Sequence, residues 1–411
     1  MSLKLRWVND DERDRVAETR LRCYAAGNKD LDRYRELIRN DGRAKAGDFL
    51  LAERGGEAIG TTTSLSMTMW VRGAALACQG VAWVGTVRTA RRQSSGSASA
   101  GIASQLMSET LRRAREREQV VSALMPFRAS FYEHFGYGVV ENRVEWTVPL
   151  SILPTGSGAA SHFFADSDIR AIEECRQRMV RRGQCDIETS SASWNYRRRF
   201  GDSSFEIVDR ADPAGSVRGW MNIEDRVVDG KRQINVDEQT FDSVEGLKSQ
   251  LRFLAGMRDQ YSSAVITLPT DVPLNLMLRE TQVPHRLVEH ATSMSKLYSR
   301  MQVRVLDQVR FFKDLILPAR TRGTVTVAIR ETEGQIARVK IDFDGGRAVA
   351  RAGESSPDIE CRDIEWAILA CGAVPATTLA RLGLIAVNKP AALEVLDELS
   401  VGPAPFCGEY F

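Results

Sequence analysis

The sequence predicts a multidomain chain of mixed α/β and α+β architecture, and three observations carry that prediction. Its 411 residues are 43% hydrophobic and 27% charged, enough apolar material for roughly two or three ordinary cores. The first third places short apolar runs, a small-residue loop, an amphipathic helix and another apolar run in that order. A stretch holding Pro149, Pro154, Gly156 and Gly158 then sets this part off from further strand and helix patterns.

Composition narrows the function classes. Lysine and arginine number 56 against 54 acidic residues, so a net charge of +2 gives no argument for a nucleic-acid partner. The seven cysteines, Cys23, Cys78, Cys175, Cys185, Cys361, Cys371 and Cys407, are scattered and odd in number, as expected of reduced thiols in the cytoplasm. Met1 to Asp10 is polar, and no run approaches about 18 apolar residues, so a cytosolic chain without a membrane span is expected.

Taken in order, Asp10 to Ala25 and Leu31 to Arg39 have apolar residues at helical spacing. From Phe49 the pattern changes to strands, broken at Gly55-Gly56, Gly73 and Gln79-Gly80 and ending with Val81 to Val87. Arg91 to Gly101 is basic and small-residued, hence a loop. Ile102, Leu106, Thr110 and Ala114 then define one face of a helix ending near Arg117, and Val120 to Met125 resumes strand character. This βαβ-like order puts the loop at a helix N-terminus, where unpaired backbone N–H groups suit a phosphate, although a solvated linker has the same composition.

Beyond the boundary at Pro149 to Ser161, a helix is expected at Ile169 to Val180 and another near Val244 to Tyr261, with strands near Phe205, Val217 and Ala264, consistent with a second α/β domain. Arg197-Arg198-Arg199 reads as a charged face or an anion contact. Strands follow at Met301 to Val305, Thr324 to Ile329, Arg338 to Ile341 and Arg347 to Ala350. Helices at Ile364 to Cys371, Ala376 to Leu382 and Ala391 to Leu399 complete a sheet capped by short helices.

The segment Phe131-Tyr132-Glu133-His134-Phe135-Gly136-Tyr137-Gly138 stops a short helix at Gly136 and sets two tyrosines around a turn. With the strand, loop and helix before it, this segment resembles the GNAT acetyltransferase superfamily. The whole chain is similar to the bacterial enhanced intracellular survival (Eis-like) acetyltransferases. That resemblance implies tandem GNAT-like domains followed by a sterol-carrier-like α+β domain: a catalytic domain at 1–150, a non-catalytic one at 151–297, and the third at 298–411.

It also implies acetyl-CoA as cosubstrate and an amine acceptor such as an aminoglycoside, polyamine or lysine. Tyr132 matches the family's general acid, and the carboxylate of Phe411, the last residue of the sequence, matches the group that orients or deprotonates the acceptor. Val84 and Thr86 match the strand that pairs with the pantetheine arm. Arg91 and Arg92 match the arginines of the pyrophosphate loop, with Gly101 and Ile102 opening its helix. A homo-oligomer is implied, with a hexamer as the candidate size.

The sequence departs from the family where Arg88 stands for a proline, Ser94 stands for a glycine and several extra residues precede Gly101. Serine enters left-handed backbone space less readily than glycine, so Gly96 and Gly101 are the candidates to replace it. A GNAT that has lost catalysis, or a carrier of lipid or another hydrophobic ligand, are the alternatives. Glu409 is either an acceptor-binding carboxylate or a solvated one. His134 and Glu133 face away from Tyr132 on a helix, Tyr137 reads as packing, and His162, His285 and His290 make no metal-ligand pattern.

Overall fold

The computed structural model describes residues 2–24, 30–91, 101–156, 160–194, 205–213, 215–279 and 293–411. After strand β1 (Lys4–Val8), helix α1 (Arg13–Tyr24) buries Val16, Ala17, Arg20 and Cys23, which recur at three- and four-residue steps. Helix α2 (Leu31–Asn40) packs beside it. Strands β2 (Phe49–Arg54), β3 (Glu57–Val71) and β4 (Ala74–Thr86) are joined by turns in which Gly55, Gly56 and Gly73 take positive φ. The expected break at Gln79-Gly80 is absent, because both residues lie inside the continuous β4. Gly80 marks a close approach instead, since a Cβ there would sit 3.1 Å from the Phe411 ring and against Met67 Sδ.

Helix α3 (Ile102–Glu116) buries Ile102, Leu106, Met107, Thr110, Leu111 and Ala114 and returns the chain to β5 (Val121–Leu124), which pairs with β4 in parallel. Helix α4 (Ala129–Glu133) follows and carries Tyr132. Gly136, at φ 76°, turns the chain into β6 (Gly138–Val139).

From here the sheets do not follow the expected boundaries. β7 (Asn142–Pro149), inside the expected first domain, joins the second sheet, between β13 (Ser263–Pro269) and β14 (Met294–Ser299). β15 (Gln302–Val305), expected in the third domain, inserts between β5 and β6. The first sheet therefore runs β1-β2-β3-β4-β5-β15-β6, with β9 (Asp186–Ile187) pairing β3. Each of the first two units thus takes a strand from beyond its expected limits. Hydrophobic pattern identifies a strand but not its sheet, so this exchange has no local signature.

The second sheet continues through β12 (Lys231–Phe241), β11 (Val217–Val228), β10 (Phe205–Arg210) and β8 (Ala160–Phe163). Its order of hairpin, helix (Val244–Gly256) and parallel strand repeats that of β3, β4, α3 and β5. A third sheet, β18-β17-β16-β19-β20, is built from Arg322–Arg330 (β16), Ile336–Asp344 (β17), Arg347–Ala352 (β18), Ile359–Arg362 (β19) and Ala386–Val387 (β20).

One apolar core runs from Val8, Phe49 and Leu76 of the first sheet to Phe312, Val327 and Trp366 of the third unit, while Ile223, Ile234 and Leu251 belong to a separate second core. First and third units are therefore fused, which is how the end of the chain reaches the first sheet. No helix among the described residues is long and apolar enough to cross a membrane.

Candidate active site

The site begins with a strand that loses its partner. β4 pairs with β5 from Cys78 opposite Val121 to Val81 opposite Leu124; β5 then stops, while β4 continues to Thr86. Val84 and Thr86 therefore lie on an edge that β5 leaves open. On the other side the register with β3 shifts, with Thr63 facing Ala82 but Thr61 facing Gly85, so β4 carries one extra residue. Trp83 takes φ 57° in this bulge. A left-handed non-glycine residue costs about 1–2 kcal/mol. Here Trp83 is held in place by the Arg20 guanidinium 4.7 Å from its ring and by edge contacts with Tyr24 and Tyr34.

At the far end of the open edge, Gly101 caps α3 without a side-chain hydrogen bond, no acidic residue stands in the first turn, and a Cβ on Gly101 would meet open space. Ile102 is buried against Gly60. Of the two predicted phosphate-binding arginines, Arg91 donates to the Thr86 and Cys23 carbonyls at 3.3 and 3.4 Å. Arg92 lies outside the described residues, with Ser94 and Gly96.

Tyr132 is buried beside Val81, Val84, Met107 and Leu124. Its ring meets Phe127, Phe131 and Tyr137 edge-on at 5.7, 5.0 and 6.2 Å. Burial pushes its phenol well above the usual tyrosine range, so it is a proton donor at neutral pH. Tyr137 has the packing role expected. Its hydroxyl meets Ser122 at 2.6 Å, and because the Ser122 hydroxyl donates to Gln79 at 2.8 Å, Tyr137 donates to Ser122. His134 is exposed and satisfied by the Ser130 carbonyl at 2.6 Å, and His162 contacts Asp168 at 3.0 Å; neither enters the site. His285, His290 and Arg197 to Arg199 lie outside the described residues.

The terminus arrives from the opposite side. Phe406 donates its N–H to the Gln184 carbonyl at 2.9 Å. Cys407 donates its N–H to Glu141 Oε1 at 3.0 Å, and its carbonyl accepts from Arg143, whose guanidinium also lies 4.3 Å from the Phe406 ring. Gly408 donates to Asp186, which Arg176 holds through two bonds of 2.5 and 2.6 Å. Arg43 Nη1 donates to the Tyr410 carbonyl at 2.9 Å. Burial raises Glu141 above the usual carboxylate range, against the pull of Arg143 and the Cys407 N–H. Glu141 and Arg143, two apart and so on one face of the strand entry, were not singled out in the sequence.

Phe411 ends buried, with its ring over Gly80. Because adjacent strand residues point to opposite faces, Phe411 at Gly80 and Tyr132 at Val81 flank β4 from its two sides. The two residues matched by resemblance, 279 positions apart, thus stand at neighbouring positions of one strand, on its opposite faces. Glu409 is not the solvated carboxylate that was one of its two expected readings: it is fully buried, and its carboxylate lies 3.7 Å from the Arg43 guanidinium.

Residues 4–140 match the family model described as an acetyltransferase (GNAT) domain. Over its full length the chain is similar in structure to a GCN5-related N-acetyltransferase from Anabaena variabilis, with a TM-score of 0.84, 16% identity and 100% of each chain covered. It is similar to Eis1 from Mycobacterium abscessus, at 0.80 and 19%, again with 100% of each covered. A GCN5-related N-acetyltransferase from Kribbella flavida gives 0.74 and 19%, covering 100% of this chain and 98% of that one. At these identities the likeness is one of fold: at least two GNAT-like sheet-and-helix units and a distinct C-terminal sheet. No curated protein matches the chain in sequence.

Proposed function

We propose that this chain is an Eis-like N-acetyltransferase that moves the acetyl group of acetyl-CoA directly to an amine, with a sterol-carrier-like third unit that delivers the terminus. The observation that carries the reading is that Tyr132 and Phe411 flank β4 at the adjacent residues Val81 and Gly80, where it parts from β5.

In this reading the pantetheine arm pairs with the open edge at Val84 and Thr86, and the pyrophosphate lies at the N-terminus of α3, served by its unpaired N–H groups, Arg91 and Arg92. The Phe411 carboxylate holds the incoming ammonium and takes its proton. The freed nitrogen lone pair attacks the thioester carbon while a backbone N–H near Val84 stabilises the oxyanion. On collapse the C–S bond breaks and the Tyr132 hydroxyl gives its proton to the departing sulfur; the remaining proton of the cationic nitrogen returns to the tyrosinate through solvent, leaving the neutral amide, the free thiol and a protonated phenol, and the carboxylate releases its proton to solvent. Burial keeps the phenol protonated, and by the same desolvation makes the departing thiolate a stronger base, so the transfer is matched.

The test is thiol release from acetyl-CoA with a panel of amines. Tyr132→Phe and a chain lacking Phe411 are each expected to lose at least roughly tenfold in turnover, as loss of a general acid or base does. Unchanged turnover in both overturns the reading. The carrier alternative keeps an observation of its own: Phe312, Val327, Ile341, Trp366 and Leu396 pack the third unit's core, but a hollow of about 880 Å³ opens beside it among Leu315, Ile316, Leu317, Ala348 and Val349. Cytoplasmic residence and a homo-oligomer belong to the same proposal.

A further inference from the structure

The bulge in β4 is held from outside its own sheet. Between the pairs Thr63–Ala82 and Thr61–Gly85, the single residue Thr62 stands opposite two, Trp83 and Val84. The Ala82 carbonyl, where the bulge begins, accepts from the Thr62 hydroxyl at 3.3 Å, so a side chain supplies a donor at the point where the ladder shifts. Arg20 of α1 closes the arrangement. Only 3% exposed, it places its guanidinium 4.7 Å from the Trp83 ring and 5.5 Å from the Phe49 ring, and donates to the Thr63 hydroxyl at 2.6 Å. One side chain thus grips the bulged strand through Trp83 and its neighbour through Thr63. Tyr24, one turn further along the same face of α1, meets Trp83 edge-on at 5.5 Å, and a Cβ on Gly85 would strike its hydroxyl. The helix therefore covers the bulge from Trp83 to Gly85.

These contacts bear on the reaction because Trp83 directly precedes Val84, near which the oxyanion donor is placed. The φ and ψ of one residue set the direction of the next N–H, so Trp83 relaxing from φ 57° into extended space would re-aim the N–H of Val84. The strain of a left-handed tryptophan favours that relaxation. A cation–π contact taken out of water is of the same order and opposes it.

We propose that Arg20 is a positioning residue of the acetyl transfer. It acts through Trp83, fixing the bulge and with it the backbone N–H that meets the oxyanion. This inference rests on the transferase reading above.

The experiment measures kcat by thiol release, with an amine that the wild type acetylates, beside calorimetry with acetyl-CoA. Arg20→Met is expected to lower kcat roughly tenfold, short of the hundredfold and more that follows complete loss of an oxyanion donor, with affinity for acetyl-CoA nearly unchanged. Arg20→Lys, which keeps a cation at the ring, is expected to retain most of kcat. Glycine adopts positive φ without strain, so in a Trp83→Gly background Arg20→Met is expected to cost less than about twofold, the scatter of independent sites. Thermal unfolding identifies the folded variants, and Arg20→Gln, neutral but still a donor, makes the same comparison if Arg20→Met does not fold. An unchanged kcat in the neutral variant, an equal loss of kcat and of acetyl-CoA affinity, or the same loss with and without Trp83→Gly overturns the inference and leaves the transferase standing. A wild-type chain that releases no thiol with any amine removes the transferase reading and this inference with it.

Discussion

Phe411 lays its ring over Gly80, where a Cβ would come within 3.1 Å of the ring and closer still to Met67 Sδ, so the last side chain of the sequence and Met67 together fill the space of a missing one on β4. A glycine that resembles a strand break in the sequence is thus the seat of the chain's end. Gly80→Val is expected to lower turnover at least roughly tenfold, with a smaller loss in affinity for acetyl-CoA, because overpacking displaces the terminus before it disturbs the open edge. Steady-state kinetics beside calorimetry with acetyl-CoA check this, and equal losses in both count against it.

The grip on the tail makes a separate prediction. Arg143 holds the Cys407 carbonyl and stacks on Phe406. Arg143→Met removes both and leaves Glu141 buried beside Arg300 without its nearest partner. Turnover is expected to fall while the surroundings of Tyr132, on the other face of β4, stay intact. Protection of the Cys407 and Gly408 amides in hydrogen exchange should fall in the same variant, and unchanged protection would contradict the clamp.

Arg304 ties the helix of Tyr132 to the third unit. Its Nη1 donates to the Phe135 carbonyl at 2.7 Å, and Nη2 meets Glu333 at 2.6 Å. A Cβ on Gly136 would strike the Asp363 carboxylate, so the two units are in close contact at this turn. Arg304→Met should destabilise the fold by about 2 kcal/mol, the cost of losing charged hydrogen bonds, read as a lowered denaturant midpoint.

Acid should act through the same pair. Burial alone would raise Glu333, but the Arg304 hydrogen bond and charge outweigh it and hold the carboxyl down to about 2. A carboxyl depressed in the folded state contributes stability that is complete above its unfolded pKa near 4.5 and is lost as pH falls toward about 2. Denaturant titrations across that window should show stability falling with acid, and Glu333→Gln should flatten the slope. A slope unchanged in Glu333→Gln would exclude the pair as its source.

The sequence was legible where one element suffices. The apolar face of α3, the turn at Gly136 and the tyrosine of α4 are encoded within a few residues of themselves. Strand exchange was not legible, since Asn142–Pro149 and Gln302–Val305 carry ordinary strand patterns that do not say which sheet receives them. β12 was missed because Ile234, Val236 and Thr240 are its buried residues in an otherwise polar run. Arg20 and Trp83 were missed because each acquires its role only from neighbours far away in the chain. The position of Phe411 came from resemblance, since nothing local in Cys407 to Phe411 specifies a contact with Gly80.

The central claim is that the end of the chain is chemical machinery in the first unit's site. Deleting Phe411 alone, and measuring single-turnover thiol release beside acetyl-CoA affinity, tests it most directly. The account predicts turnover reduced roughly a hundredfold, within the range for a lost acid-base group, with affinity for acetyl-CoA nearly unchanged. Turnover equal to that of the full chain would contradict it.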